Sequence, residues 1–127
     1  MDLTPLIPSG RQIVESYGEG RFRVTGQIHQ GAIIIFPERT LAWPVASAAE
    51  ASLENLEPIL AAGRARTVEL LLFGQGPRML LVPPALRQGL REAGIVLEPM
   101  DTGAACRTYN VLMAEGRRVA AALIPVG

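Results

Sequence analysis

The chain has 127 residues, of which 49% are hydrophobic and 19% are charged, and its 12 basic residues balance its 12 acidic ones. A chain of this length can bury one ordinary core, so we expect residues 1–127 to fold as a single domain without disulfides or metals. Zero net charge with dispersed arginines provides no field that attracts nucleic acid, which excludes nucleic-acid binding as the main role. It also leaves little repulsion between copies, so a homo-oligomer is compatible with the sequence.

The sequence predicts a soluble, cytoplasmic protein without membrane insertion. Its apolar runs fall far short of the roughly 20 residues that span a bilayer. Residues 1–8 lack the basic start and the apolar stretch of a signal peptide. The single cysteine, Cys106, cannot form an intrachain disulfide, which fits a reducing compartment.

The first part of the chain predicts an irregular segment followed by antiparallel strands. Residues 1–16 are rich in turn formers and prolines and leave room only for a short edge strand at 12–14. Residues 21–25 alternate polar and apolar side chains, whereas residues 32–36 are entirely apolar. Both patterns predict strands, and we expect the two strands to form an antiparallel hairpin joined around residues 27–30.

The middle of the chain is less regular. A short strand is expected at residues 40–45, with Trp43 facing the core and a proline keeping the strand near an edge. Residues 47–62 are ambiguous, because a capping-box spacing at their start conflicts with Pro58. We favour a short helix at residues 58–62 that ends at glycine, preceded by a loop with a turn of helix.

The second half alternates apolar strands with helices of about ten residues. The predicted elements are a strand at 68–73, a helix at 84–93, a strand at 95–100, a helix capped by Thr102 and running to 115, and a strand at 118–124. Such alternation is typical of crossover units, which place helices over the faces of a sheet. The predicted fold is therefore α/β, with an N-terminal antiparallel hairpin followed by β-α-β-α-β.

Two polar loops follow strands of this predicted sheet, at residues 74–77 and 101–103. Ligands of α/β sheets bind beyond the carboxyl ends of parallel strands, so we expect these loops to face one crevice. The helix start after the second loop favours an anion, and Arg107 lies one turn further on. The candidate anion-binding residues are Gly74, Gln75, Gly76, Asp101, Thr102, Arg107 and Asn110. In the alternative interpretation, the polar residues cap the helix and the glycines form a sharp strand exit.

A second polar segment runs from Tyr17 to Arg23 and contains two glycines. It either flanks the same crevice or forms an exposed turn. Tyr17, Arg21 and Arg23 are candidate contacts for a partner. Arg117 is a further candidate, although a cation near a helix C-terminus also has a simple electrostatic role.

No catalytic residue, metal site or cofactor is predicted. Cys106 is better explained as a small core residue than as a nucleophile. The only histidine, His29, falls in the predicted hairpin loop, where we expect it to be exposed, so no histidine-dependent triad is expected. A single histidine and a single cysteine also provide no zinc-ligand pattern.

Several segments resemble one known family. They are the stretch from Tyr17 to Gly26, the Trp43 segment, Leu70 to Gly76, Met100 to Asn110, and Glu115 to Arg117. In this order they resemble the small α/β domain family that includes mitochondrial NADH:ubiquinone oxidoreductase complex assembly factor 3. The resemblance implies a three-layer fold with a central mixed sheet and carries no established catalytic residues, and the bacterial and archaeal relatives are mostly of unknown function. The family often has Gly-Thr-Gly where this chain has Gln75 in the middle place.

The sequence and the resemblance leave two candidate functions. The resemblance favours a non-enzymatic interaction or assembly factor whose partners are proteins such as respiratory-complex subunits. The alternative is a binding protein or enzyme for a small anionic metabolite, with Arg107 as the anion clamp and Asp101 as an acid or base.

Overall fold

The structure, a computed structural model, describes residues 10–127. This part of the chain contains eight strands and three α-helices. The strands are β1 Val14–Gly18, β2 Arg21–Val24, β3 Gln27–Gln30, β4 Ile33–Ile35, β5 Thr40–Ala42, β6 Leu70–Gly74, β7 Val96–Met100 and β8 Val119–Leu123. The α-helices are α1 Glu57–Arg64, α2 Pro84–Glu92 and α3 Thr102–Ala114. Of the segment predicted to be irregular, residues 1–9 lie outside the described residues.

A five-stranded mixed sheet with the strand order β5-β4-β8-β6-β7 forms the centre of the molecule. The strand β6 pairs in parallel with β7 and β8, whereas β4 pairs antiparallel with β5 and β8. The parallel part comes from the two crossovers through α2 and α3. The predicted α/β class with a central mixed sheet is therefore confirmed.

Each face of this sheet is covered by a different layer, because successive residues of a strand point to opposite faces. On one face, Ile34, Leu71 and Phe73 pack in a core cluster with residues of α1 and α2. On the other face, Ile33 and Leu72 pack with α3 and with the strands β1 and β2. All five residues of β8 are buried, as expected for a central strand covered on both faces. The fold thus has three layers.

The N-terminal antiparallel unit is a separate three-stranded sheet with the order β1-β2-β3. Val24 pairs with Gln27, so only Thr25 and Gly26 connect β2 to β3. Both connecting residues have positive φ, 43° and 83°, as the primed two-residue hairpin turns require. Glu19 and Gly20, with φ of 54° and 76°, form the corresponding turn between β1 and β2.

The predicted pairing of residues 21–25 with 32–36 is therefore wrong. The segment 27–30, taken as a loop, is itself a strand, and β4 joins the five-stranded sheet instead. The physical reason is the tight turn at Thr25 and Gly26, which reverses the chain about three residues earlier than a loop around 27–30 would. His29 consequently lies in a strand, half-buried, and not in a hairpin loop.

Two helix boundaries also differ from the prediction. The helix α1 spans Glu57–Arg64, longer than the predicted 58–62, and it runs through Gly63 without ending there. A Cβ at Gly63 would lie 2.5 Å from the carbonyl oxygen of Ala93, so glycine is needed for close packing. The helix α3 begins at Thr102 with Asp101 as its N-cap, so Thr102 is the first helical residue and not the cap.

The small sheet is attached to α3 by side chains of that helix. The Asn110 side chain accepts a hydrogen bond from the Val14 N–H at 3.0 Å and donates one to the Val14 carbonyl at 2.8 Å. The hydroxyl of the fully buried Tyr109 donates to the Gln12 carbonyl at 2.9 Å. Val14 also pairs with Val24 of β2, so the bonds to Asn110 occupy the other edge of β1, next to an irregularity in the β1–β2 register between Val14 and Ser16.

Candidate functional site

The two polar loops meet at the carboxyl ends of β6 and β7, where Thr102 joins them. Its hydroxyl donates to the Ile124 carbonyl at 2.6 Å and accepts from the Gly76 N–H at 2.9 Å. Its own N–H donates to the Gly76 carbonyl at 2.8 Å. Thr102 is fully buried. The junction is thus closed by direct hydrogen bonds between its own residues.

The glycine loop is equally engaged in internal bonds. The Gly74 carbonyl accepts from the Ile124 N–H at 2.8 Å, and the Gln75 N–H donates to the Met100 carbonyl at 2.9 Å. A Cβ at Gly74 would lie 3.1 Å from the Cα of Thr102, so the loop packs directly on α3. The buried Gln75 side chain accepts from the Leu80 N–H at 2.8 Å. The backbone N–H groups of Gln75 and Gly76 are therefore already used.

The acidic residue of the junction caps the helix. The Asp101 carboxylate accepts a hydrogen bond from the Ala104 N–H at 2.9 Å, which places its negative charge at the positive end of the helix dipole. Arg107, one turn further on, is exposed, and no carboxylate of residues 10–127 lies within ion-pair distance of it. Asn110 belongs to the attachment of β1. Whether these residues bind an anion stays a prediction.

The structure brings Tyr17 to this junction. Its hydroxyl lies over Gly103, close enough that a Cβ there would collide with it. The same Cβ would lie 3.3 Å from a guanidinium nitrogen of Arg107, so Tyr17 and Arg107 are neighbours above the first turn of α3. Tyr17 is 42% exposed. Of the predicted interaction segment, Tyr17 thus lies at the predicted crevice.

The other predicted contact residues lie apart from this point. Arg21 pairs with Glu19 and Arg23 pairs with Glu15, all on the exposed surface. Both arginines line a shallow groove of about 240 Å³ with Tyr17. Arg117 is exposed beyond the opposite end of α3 and is not brought together with the others. The role of these residues in an interaction remains untested.

An exposed apolar loop is the feature that the sequence reasoning missed. After Gly76 the chain runs over the surface, with Met79 62%, Leu80 44% and Leu81 99% exposed. Single exposed apolar residues are ordinary, but three in succession are not. The available signal was the uninterrupted run from Met79 to Val82 between prolines, in a segment with no predicted helix or strand.

This loop borders an apolar groove. One part, of about 230 Å³, is lined by Phe73, Leu80 and Leu81 together with alanines of the segment 48–51. An adjoining part of about 300 Å³ includes Leu53 and shares Ala51 and Pro83 with the first. Leu53 is itself 36% exposed. The Met79–Leu81 loop and this groove form one surface, which we call the apolar surface.

A larger cavity of about 450 Å³ lies at the other end of the sheet, before β6 and β8 begin. Charged residues line it, including Arg66, Glu69 and Arg118. Arg118 pairs with Glu69 at 2.7 Å and donates to the Arg66 carbonyl at 3.0 Å. The charges of Arg118 and Glu69 in this cavity therefore neutralise each other.

The titratable residues beneath the junction are unreactive core groups. Burial raises the pKa of the Cys106 thiol from its usual 9.0 to about 12, although the neighbouring Arg107 opposes this shift. A thiol with such a pKa is a poor nucleophile at neutral pH. Burial likewise raises the pKa of Tyr109, whose hydroxyl serves as a hydrogen-bond donor. Cys106 and Tyr109 therefore contribute to packing.

In residues 10–127, no three His, Cys, Asp or Glu side chains are grouped so as to hold a metal ion. Within the same range, no helix combines the length and the apolar character needed to cross a bilayer.

A family model described as "Protein of unknown function (DUF498/DUF598)" matches residues 14–124. The chain belongs to this family. The family resemblance predicted from the sequence is thus confirmed, since members named as assembly factor 3 also match.

Relatives in the DUF498/DUF598 family range from bacteria to vertebrates. An uncharacterized Rhodobacter capsulatus protein is 37% identical over 118 residues, which cover 93% of this chain and 88% of that protein. The Xenopus tropicalis protein named NADH dehydrogenase (ubiquinone) 1 alpha subcomplex assembly factor 3 is 34% identical over 112 residues. That match covers 88% of this chain, which spans 60% of the length of the Xenopus protein.

Solved structures agree with the fold. A crystal structure of a Bartonella henselae protein, described as an outer membrane protein, is 37% identical and has a TM-score of 0.85. The superposition covers 93% of this chain and 98% of that one. The three-layer architecture is therefore shared with an experimentally determined relative.

Proposed function

We propose that this protein is a non-enzymatic interaction factor that binds a subunit of a respiratory NADH dehydrogenase, or of another membrane complex, during assembly. The names of the eukaryotic relatives support this class of function. The observation that carries the proposal is the apolar surface, because its three consecutive exposed side chains contribute little to the protein's own core.

The energetics of this surface suit a docking site. Full burial of one leucine or methionine side chain stabilises a complex by about 1.5–3 kcal/mol, so the loop can supply much of the free energy of a moderate interaction. The groove beside the loop offers depth for side chains of the partner. The occupant that fits is an apolar or amphipathic helix of the partner subunit, laid along the groove.

We infer that two exposed residues of the junction form part of the polar border of this contact. The apolar loop leaves the sheet where Gly76 bonds to Thr102, at the first turn of the helix that carries Arg107. The exposed Arg107 and Tyr17 therefore lie at the same end of the molecule as the loop. A polar rim around an apolar centre is the usual arrangement of a protein interface.

The internal hydrogen bonds of the junction do not favour the alternative of an anionic metabolite. A ligand cradle needs free backbone donors, and those of Gln75 and Gly76 are bonded to Met100 and Thr102. Asp101 occupies a further donor at the helix start.

The test is affinity capture of tagged protein from gently solubilised membranes of its own host. The probe is the set of NADH dehydrogenase subunits, quantified by mass spectrometry. Wild type is compared with Leu81→Asp and with the matched control Val111→Asp, since Val111 is 58% exposed on the outside of α3. We expect wild type and the Val111 variant to retain the same subunits and the Leu81 variant to lose them by tenfold or more.

A further variant, Arg107→Ala, is expected to weaken capture moderately while leaving the thermal unfolding temperature nearly unchanged. Equal capture by all variants would exclude the apolar surface as the docking site. Failure of the wild type to retain any subunit of a membrane complex would overturn the proposed function itself.

A further inference from the structure

The free edges of the two sheets differ in how they are protected. An unprotected edge strand presents unpaired N–H and C=O groups that can pair with another chain. At the edge strand β7, the Leu97 carbonyl accepts a hydrogen bond from the Arg87 guanidinium at 2.9 Å. Pro99, in the same strand, has no N–H to offer. The β7 edge is therefore closed to a further strand.

Two other edges are blocked by different means. At β1, the backbone N–H and carbonyl of Val14 are both taken by the Asn110 side chain, and the strand carries a register irregularity. The edge strand β5 has three residues, and Pro44 follows it closely. Short strands, bulges and prolines are common devices against edge-to-edge pairing.

In the described part of the chain, the four-residue strand β3 has neither a register irregularity nor a side chain bonded to its outer edge. Its residues Gln27–Gln30 include no proline and no residue with a formal charge at pH 7. The Gly31 N–H donates to the Gly20 carbonyl, next to the pair Arg21–Gln30. Hydrogen-bonded and non-hydrogen-bonded pairs alternate along antiparallel strands, so Gln27 and His29 direct their backbone groups toward β2. The N–H and C=O groups of Ile28 and Gln30 therefore point outward.

We propose that β3 pairs antiparallel with β3 of a second copy, about a twofold axis that passes between the two His29 residues. In this register Ile28 of each copy lies opposite Gln30 of the other. Their outward N–H and C=O groups form four hydrogen bonds, all of them within the strand. The two small sheets become one continuous sheet of six strands.

A second copy suits this edge because a twofold axis places each residue near its own equivalent. A charged edge residue would then meet the same charge, and like charges opposite each other destabilise a strand pair. The edge Gln-Ile-His-Gln contains no such charge, and the whole chain is formally neutral. An axis at Ile28 is less favourable, since it would place Gln30 opposite Gly26, whose N–H already donates to Glu15 at 2.6 Å.

The strand pair is small, so the association is expected to be weak. Four residues on each side bury far less than the roughly 1,200–2,000 Å² of a stable interface. Ile28, which is 52% exposed in the single chain, supplies apolar area. We therefore expect a dimer that forms at submillimolar to millimolar protein concentration and dissociates on dilution.

Sedimentation velocity over that concentration range tests association, and disulfide trapping tests the register. In His29→Cys the two new cysteines lie opposite each other, where Cα atoms about 4.5 Å apart fit disulfide geometry. In Ile28→Cys they lie on a diagonal, roughly 8 Å apart, which is too far. The native Cys106 is buried and does not compete.

We expect rapid disulfide dimerisation of His29→Cys, slow dimerisation of Ile28→Cys, and a monomer for Ile28→Glu at concentrations where wild type dimerises. A wild-type monomer at millimolar concentration would overturn the proposal, as would unchanged dimerisation of Ile28→Glu. Equal trapping rates for the two cysteine variants would refute the His29 axis. Circular dichroism of each variant checks that the substitutions leave the fold intact.

Discussion

Replacing Thr102 by valine removes one buried hydroxyl while keeping the shape of the side chain. The substitution leaves the Gly76 N–H and the Ile124 carbonyl without their partner, at a position that is fully buried. Each unsatisfied buried group costs about 1–3 kcal/mol, and the added methyl group recovers about 0.8 kcal/mol. We therefore expect Thr102→Val to lower the free energy of unfolding by about 2–4 kcal/mol.

Urea denaturation followed by circular dichroism measures this loss. With a slope of about 1–3 kcal/mol per molar urea, the midpoint should fall by roughly 1–2 M. Thr102→Ser keeps the hydroxyl and should cost about 1 kcal/mol, for the lost methyl group.

Thr108→Val is the matched control for this change. Thr108 lies on the same helix, half-exposed, and its hydroxyl makes no hydrogen bond within residues 10–127. It should change stability by less than about 0.5 kcal/mol. If Thr102→Val matched this control, the hydroxyl would not join the strand ends, and the junction would again be open to interpretation as a ligand site.

Three further predictions concern other buried contacts. Gly63→Ala should destabilise by about 1–3 kcal/mol, because its Cβ meets a backbone oxygen. Gly103→Ala meets only the side-chain ends of Tyr17 and Arg107, both exposed, and should be nearly neutral in thermal unfolding; similar losses for both variants would contradict this reasoning. Asn110→Asp can accept from the Val14 N–H but cannot donate to the Val14 carbonyl. We therefore expect the free energy of unfolding to fall by about 1–3 kcal/mol and backbone hydrogen exchange in β1 to become faster. Unchanged exchange would show that the attachment is unimportant. Because folding raises the pKa of Cys106 to about 12, its contribution is complete below pH 9 and declines as the pH rises from 9 toward 12, by about 1.4 kcal/mol per pH unit. Stability of Cys106→Ala should therefore fall less steeply over that range, and parallel curves would refute the assignment.

The regular second half of the fold could be predicted because its signals are local. Apolar runs such as Leu70–Phe73 and Val119–Leu123 are long enough to indicate buried strands, and Gly94 follows the C-cap residue of the helix α2. The bounds of α2, β7, α3 and β8 consequently differ from the prediction by at most one residue at each end.

The N-terminal pairing could not be read in the same way. Both Gln27–Gln30 and Ile33–Ile35 are short, and their partners are determined by a turn at Thr25 and Gly26, in which a non-glycine residue has positive φ. Threonine rarely adopts this conformation, so the turn gave no strong local signal.

The candidate site was located better than its role was understood. Loops that follow parallel strands were expected to meet, and Gly76 does bond to Thr102. The residue types could not show that the polar groups of the junction form hydrogen bonds with one another. A polar residue in a sequence pattern does not reveal its partner, which for Thr102 lies at Ile124, 22 residues away.

The attachment of β1 to α3 bears on the order of events during synthesis. Val14 and Asn110 are separated by 96 residues, and β4 pairs with the still later strand β8. The N-terminal strands therefore leave the ribosome long before their partners exist, with Phe22 and Val24 still uncovered. Since residues emerge at about 5–20 per second, this interval lasts several seconds or more, in which chaperones have access to the nascent chain. Native packing of the small sheet must wait until the last helix has been made.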